Sequence, residues 1–185
     1  MNLQKSRRSS SVDNTLANKL TFLLFIIYLA ALFWILLFKL GVRFSYMENR
    51  SVNLVPFREP LILNGKIDAG EIILNVVIFV PLGIYVGLLS KRWKFVTKIL
   101  CFFLVSLMFE VLQYIFKVGA FDITDIITNT AGGAIGLIIF EAIEKIFNDS
   151  VKAQKFINMV AAIGTLVMIS LLLLLKMNML PVRYQ

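Results

Sequence analysis

The chain has no histidine and a single cysteine, Cys101, among its 185 residues. A disulfide framework is therefore excluded, as is a metal site built on imidazole and thiolate, so any bound ion must take oxygen ligands. Without histidine a Ser-His nucleophile is excluded as well. Cys101 has no acylation motif around it and reads as a packing residue. Charge is also scarce, at 16% of residues, where soluble domains carry about 25%. Apolar residues take that place: 59% of the chain is hydrophobic and the mean hydropathy is +0.84. The sequence is that of an integral membrane protein.

Five runs have spanning length and little or no charge, at residues 20–38, 72–90, 99–116, 123–140 and 156–175. They predict an all-α membrane protein, a bundle of five transmembrane helices with one long loop, residues 41–70, between the first helix and the second. A basic leader, residues 1–19, precedes the first run. Its Lys5, Arg7, Arg8 and the serines 9–11 show no apolar periodicity, which predicts disorder up to about Asn14 and suits an anionic lipid surface rather than nucleic acid. The first run is 19 residues long and lacks a small-x-small cleavage site, so it reads as a retained anchor. The division expected is a leader at 1–19, a four-helix membrane domain at 20–147, and at 148–185 a linker, a fifth span and a short tail.

Orientation follows from basic residues near helix ends. Lys5, Arg7, Arg8, Lys19, Lys91, Arg92, Lys94, Lys98, Lys145, Lys152 and Lys155 put eleven of nineteen on the N-terminal side. Most of the remainder lie in or beside the 41–70 loop, among acidic residues. The compact loops therefore predict a cytoplasmic N-terminus and an extracellular C-terminus.

Polar residues interrupt the apolar runs chiefly between Ser106 and Gly136. Glu110 and Gln113 are three apart, and Asp122, Asp125 and Asn129 follow a three-then-four step, so each helix carries one polar stripe. A carboxylate in hydrocarbon costs about 2.5 to 3.5 kcal/mol on insertion scales, so such groups face a bundle interior, a cavity or one another. The link from Lys117 to Phe121 allows only a tight turn, which makes these helices antiparallel neighbours with both stripes near one end. Asn75, about 6 Å from Glu71 along the second helix, falls at the same level, in the outer third of the membrane. Asp122 reads first as a helix N-cap, and Ser106 is the hydroxyl on the Glu110 stripe.

Elsewhere Pro81 predicts a kink, and Gly83-x-x-x-Gly87 and Gly132-x-x-x-Gly136 predict close helix packing. In the loop, Asn53-Leu54-Val55-Pro56-Phe57-Arg58-Glu59-Pro60, with Phe44 and Tyr46 upstream, favours a segment that lies on the bilayer or caps the helices. The fifth run reads as a peripheral apolar span without a polar stripe, joined through a charged loop at 141–155. Inverted repeats are not evident, and the inner halves of all five helices read as apolar, which argues against transport.

Four ordered motifs resemble the VanZ-like family over roughly residues 20–147. They are Asn53-Leu54-Val55-Pro56-Phe57; Asn75 with Phe79-Val80-Pro81-Leu82-Gly83; Ser106 with Glu110 and Gln113; and Phe121-Asp122-Ile123-Thr124-Asp125 with Asn129 and Gly132. One departure is Ala120, where such proteins often carry a basic residue. The resemblance implies a multi-pass protein of the bacterial plasma membrane, whose namesake is associated with resistance to teicoplanin. Two readings of the activity stay open. One is an outer-leaflet pocket that binds a lipid-linked cell-wall precursor or the lipoglycopeptide itself, lined by Asn53, Phe57, Asn75, Ser106, Glu110, Gln113, Asp122, Asp125 and Asn129. The other is a membrane-embedded enzyme with Glu110 and Asp125 as an acid and base pair, or as oxygen ligands of a divalent cation. Membrane lipids are expected partners in both, and no cofactor is indicated.

Overall fold

The computed structural model describes residues 2–38, 52–57, 62–63, 66–67 and 70–176. Expectations placed on Phe44, Tyr46, Arg58, Glu59 and Pro60, and on the tail from 177 to 185, lie outside the described residues. Among the described residues five helices form: α1 Asn2–Phe38, α2 Gly70–Leu89, α3 Phe95–Phe116, α4 Ile123–Phe147 and α5 Ser150–Lys176. Each contains a stretch long and apolar enough to cross a membrane. Their outer faces carry large exposed apolar side chains, among them Phe103, Leu104 and Ile138. Water would drive such surfaces together, whereas lipid tails solvate them.

The chain divides into two compact units, Met1–Ala30 with Glu144–Gln185, and Ala31–Ile143. The first unit corrects three expectations. The leader is helical and continuous with α1 from Asn2, not disordered. Nucleation is the costly step of helix formation, and the apolar run supplies it; extension into the leader then adds one hydrogen bond per residue. The charged stretch from 141 to 155 is likewise almost wholly helical, broken at Asn148 and Asp149. Asn148 takes a left-handed conformation (φ 46°) and its N–H bonds back to the Glu144 carbonyl, which closes α4. Asp149 then opens α5, its Oδ1 accepting the N–H of Val151 at 2.8 Å and of Lys152 at 3.2 Å. The N–H groups of Lys152 and then Val151 hold this carboxyl below the usual carboxylate range.

The third correction concerns α5, which does carry a polar stripe. Asn158 is 2% exposed; it donates to the Ala17 carbonyl at 3.0 Å and accepts the Thr21 hydroxyl at 2.9 Å. Gln154, one turn earlier, donates to Thr21 Oγ1 and to Asn18 Oδ1. The ends of these two helices that meet at Ala17, Thr21 and Asn158 are therefore not uniformly apolar. Gln154 and Asn158 sit four apart, a spacing that marks one helical face.

In the second unit, α2 and α4 meet backbone to backbone. A Cβ at Gly83 would strike the Gly133 carbonyl oxygen and lie 2.8 Å from Gly136 Cα, and one at Gly136 would strike the Val80 carbonyl. At Gly132 the obstacle is the Val76 carbonyl, and at Gly87 it is the ring of Phe140. The small-residue spacing expected to pack helices does so here. Phe79 and Phe102 are fully buried beside this crossing, and Phe102 covers the face of Gly133.

Short strands hold the ends. β1, Val52–Asn53, pairs in parallel with β4, Phe121–Asp122, matching Val52 with Phe121 and Asn53 with Asp122. β2, Ile62–Leu63, pairs antiparallel with β3, Lys66–Ile67. Part of the long loop is thus tied to the turn between α3 and α4, which bears out a capping segment.

Candidate functional site

The buried polar residues of α2, α3 and α4 lie toward the end where α3 finishes and α2 and α4 begin. α3 stops as its last turn tightens: Lys117 adopts a left-handed conformation (φ 57°, ψ 36°), and the Val118 N–H bonds to the Gln113 carbonyl at 3.0 Å. Five residues after Val118, α4 starts at Ile123, with Asp122 as its cap: Asp122 Oδ1 accepts the Thr124 N–H at 2.7 Å. The short connection makes the two helices antiparallel and sets their polar stripes against each other.

Asp122 is the node. Its backbone N–H donates to Glu110 Oε2 at 2.8 Å, and its Oδ2 accepts from Asn53 Nδ2 at 3.0 Å. The same residue therefore caps α4, ties that cap to α3 and docks the loop. Thr124, which spacing alone did not single out, adds a second tie: its Oγ1 accepts the Phe57 N–H at 3.0 Å. Phe57 itself is left-handed (φ 56°), and its ring is exposed. Its contribution to this arrangement comes from the backbone, not from the aromatic ring. A left-handed conformation is uncommon for a bulky residue, and here two ties to the start of α4 hold the segment in place. Leu54 and Val55, beside Pro56, are exposed with it.

Deeper groups pair across helices. Asn75 Nδ2 of α2 donates to Asp125 Oδ1 of α4 at 2.8 Å, and Asn129 Nδ2 donates to Ser106 Oγ of α3 at 2.9 Å. Gln113 Nε2 donates at 2.7 Å to the carbonyl of Leu36, in the last turn of α1, where a helix leaves its carbonyls without intrahelical partners. Ser106 is fully buried, Gln113 and Asn129 are 1% exposed, and Glu110 is 2% exposed. Among the described residues, two buried oxygens have no donor, Gln113 Oε1 and Asn129 Oδ1. Among the described residues no group of three or more acidic or cysteine side chains is arranged to hold a metal ion.

Several of the residues singled out in the sequence are thus paired, each with a partner that spacing could not specify. Glu110 meets a backbone N–H, Asp125 meets Asn75, and Asn129 meets Ser106. Leu36 contributes through its carbonyl, for which a side-chain pattern holds no signal.

A family model described as VanZ/LLP1 matches residues 25–148. The chain belongs to this family. The VanZ/LLP1 match takes in every site residue from Asn53 to Asn129 and ends before α5 begins. The chain is also similar to Protein VanZ of Enterococcus faecium, at 37% identity over 150 residues, which cover 79% of this chain and 86% of the relative. No solved structure matches it.

Proposed function

We propose that this VanZ/LLP1 protein is a multi-pass envelope factor of the bacterial plasma membrane that lowers susceptibility to teicoplanin-type glycopeptides. Its polar end would bind a lipid-linked cell-wall component or the lipoglycopeptide. The observation that carries this reading is the burial of Glu110 and Asp125 with Asn75, Ser106, Gln113 and Asn129 at a single end of apolar helices. Groups so expensive to place in a membrane are retained where they serve a site. Likeness to Protein VanZ supports the phenotype.

Conservative variants separate charge from folding. Glu110→Gln keeps an oxygen for the Asp122 N–H, and Asp125→Asn keeps one for Asn75, so each preserves that hydrogen bond while removing charge. In cells, each is expected to abolish tolerance to teicoplanin at unchanged membrane abundance. Full tolerance in both variants would refute the reading.

The proposed orientation places this end outside and the N-terminus in the cytoplasm, supported by the basic residues of the compact loops. In a Cys101→Ser background, an impermeant thiol reagent on intact cells should label Ser51→Cys and leave Lys152→Cys unlabelled. The reverse pattern would move the site to the cytoplasmic face.

A further inference from the structure

The end of the helices away from the buried cluster, where α2 finishes and α3 begins, carries an unbalanced charge. The chain turns there at once. The Ser90 N–H bonds back to the Val86 carbonyl at 2.9 Å and the Trp93 N–H to the Ser90 carbonyl at 3.0 Å, and Lys94 is extended (φ -65°, ψ 151°) before α3 opens at Phe95. Lys91, Arg92, Lys94 and Lys98 fall within this short stretch, while from Ile72 to Phe109 the sequence has no acidic residue. Lys91 is engaged, its Nζ lying 5.8 Å from the centre of the Phe140 ring. The side chains of Arg92, Lys94 and Lys98 have no ion pair or hydrogen bond among the described residues. Arg92 and Lys94 are exposed, and Lys98 lies about one helical turn beyond Lys94. Like charges this close repel one another, and among the described residues no carboxylate pairs with them.

Their neighbours set the depth of these charges. Trp93, between Arg92 and Lys94, is 48% exposed, and Phe95 and Val96 are 58% and 75% exposed. The turn joins two helices long and apolar enough to span a membrane, and an exposed indole at such a junction favours the level of the lipid head groups. Cations interleaved with these residues therefore lie at the level of lipid phosphates, where a guanidinium can fork onto two oxygens and an ammonium adds charge-assisted hydrogen bonds. Charge complementarity selects among the lipids. A zwitterionic head group brings its own cation beside the phosphate, which the turn repels; an anionic head group brings none.

We propose that the turn from Lys91 to Lys98 is a docking surface for an anionic phospholipid, with Arg92, Lys94 and Lys98 supplying the charge that holds its phosphate. This surface lies apart from the buried polar cluster and does not depend on what that cluster binds.

The purified full-length protein, in an uncharged detergent at low salt, is melted with dihexanoyl-phosphatidylglycerol, dihexanoyl-phosphatidylcholine or inorganic phosphate. A basic residue near an anionic lipid surface contributes about fivefold in affinity, so phosphatidylglycerol should protect at a concentration about tenfold or more below that of phosphatidylcholine. Inorganic phosphate at the same concentrations should not protect. Arg92→Gln and Lys94→Gln should each raise the half-protecting concentration of phosphatidylglycerol by about fivefold. With Lys98→Gln added to both, phosphatidylglycerol should be no better than phosphatidylcholine. Arg92 and Lys94 are exposed, so the single variants decide the question if the triple variant is not recovered. Lys117→Gln removes an exposed cation from the opposite end of α3 and should leave the preference unchanged. No protection by phosphatidylglycerol, equal protection by the two lipids, or a preference that survives in the Arg92 and Lys94 variants overturns the proposal. So does an equal loss in Lys117→Gln, which would trace the effect to net charge. Protection by inorganic phosphate at the lipid's concentrations overturns it too and would mark a free-anion site.

Discussion

Alanine in place of Gly83 is expected to remove most of the folded protein recovered in detergent. The new methyl would meet the Gly133 carbonyl and the Gly136 Cα, both backbone, so no side chain can turn aside to make room. Overpacking a core typically costs about 1 to 3 kcal/mol, and relief by rotamer change is denied here. The helices must separate instead, which gives up contacts along the whole crossing of α2 and α4. Gly136→Ala, which meets the Val80 carbonyl, should behave alike, whereas Gly164→Ala provides the control, since nothing lies within 4 Å of the added Cβ. That last change should be neutral or stabilising by about 0.5 to 1 kcal/mol, because alanine favours helix. Size-exclusion profiles with thermal midpoints read the result. A Gly83→Ala protein as stable as the wild type would show that α2 and α4 do not meet at these residues.

Asp122→Ala should have the second largest effect, through one side chain that serves two elements. It removes the cap on the Thr124 N–H and the acceptor for Asn53. A lost N-cap costs about 0.5 to 2 kcal/mol, and the loop loses a hydrogen bond to a charged group, a class worth about 1.5 to 3 kcal/mol. Asp122→Asn keeps a capping oxygen and should fall between the two. Hydrogen exchange in nanodiscs offers the sharper reading: amides of residues 52–57 and 121–125 should exchange faster in Asp122→Ala, while those at the α2 and α4 crossing should not. Unchanged protection at 52–57 would mean that the strand pair of β1 and β4 holds the loop without the side chain.

The helices and their polar stripes were readable because the physics that places them is local. An apolar run of about 20 residues spans a bilayer whatever its neighbours are, and Glu110 with Gln113, or Asp125 with Asn129, share a face by helical geometry alone. The capping role of Asp122 is local for the same reason, since its acceptor and the Thr124 N–H lie two residues apart. The helical joint near Asn148 and Asp149 carried a local signal as well, Asn-Asp-Ser, but the surrounding charges suggested a loop.

What sequence by itself determined about this protein is its membrane class, the five apolar spans, the glycine contact faces and which polar side chains turn inward together. Only the tertiary structure decided whom those side chains meet. It set Asn75 against Asp125, gave Glu110 the N–H of Asp122, and turned Gln113 to the Leu36 carbonyl. It also joined Asn158 to Thr21, across 137 residues of chain. The reason is register: a helix advances about 1.5 Å and turns about 100° with each residue, so a one-residue shift between neighbouring helices would give every buried polar group a different partner. Between α2 and α4 that alignment is set by where their glycines let two backbones touch.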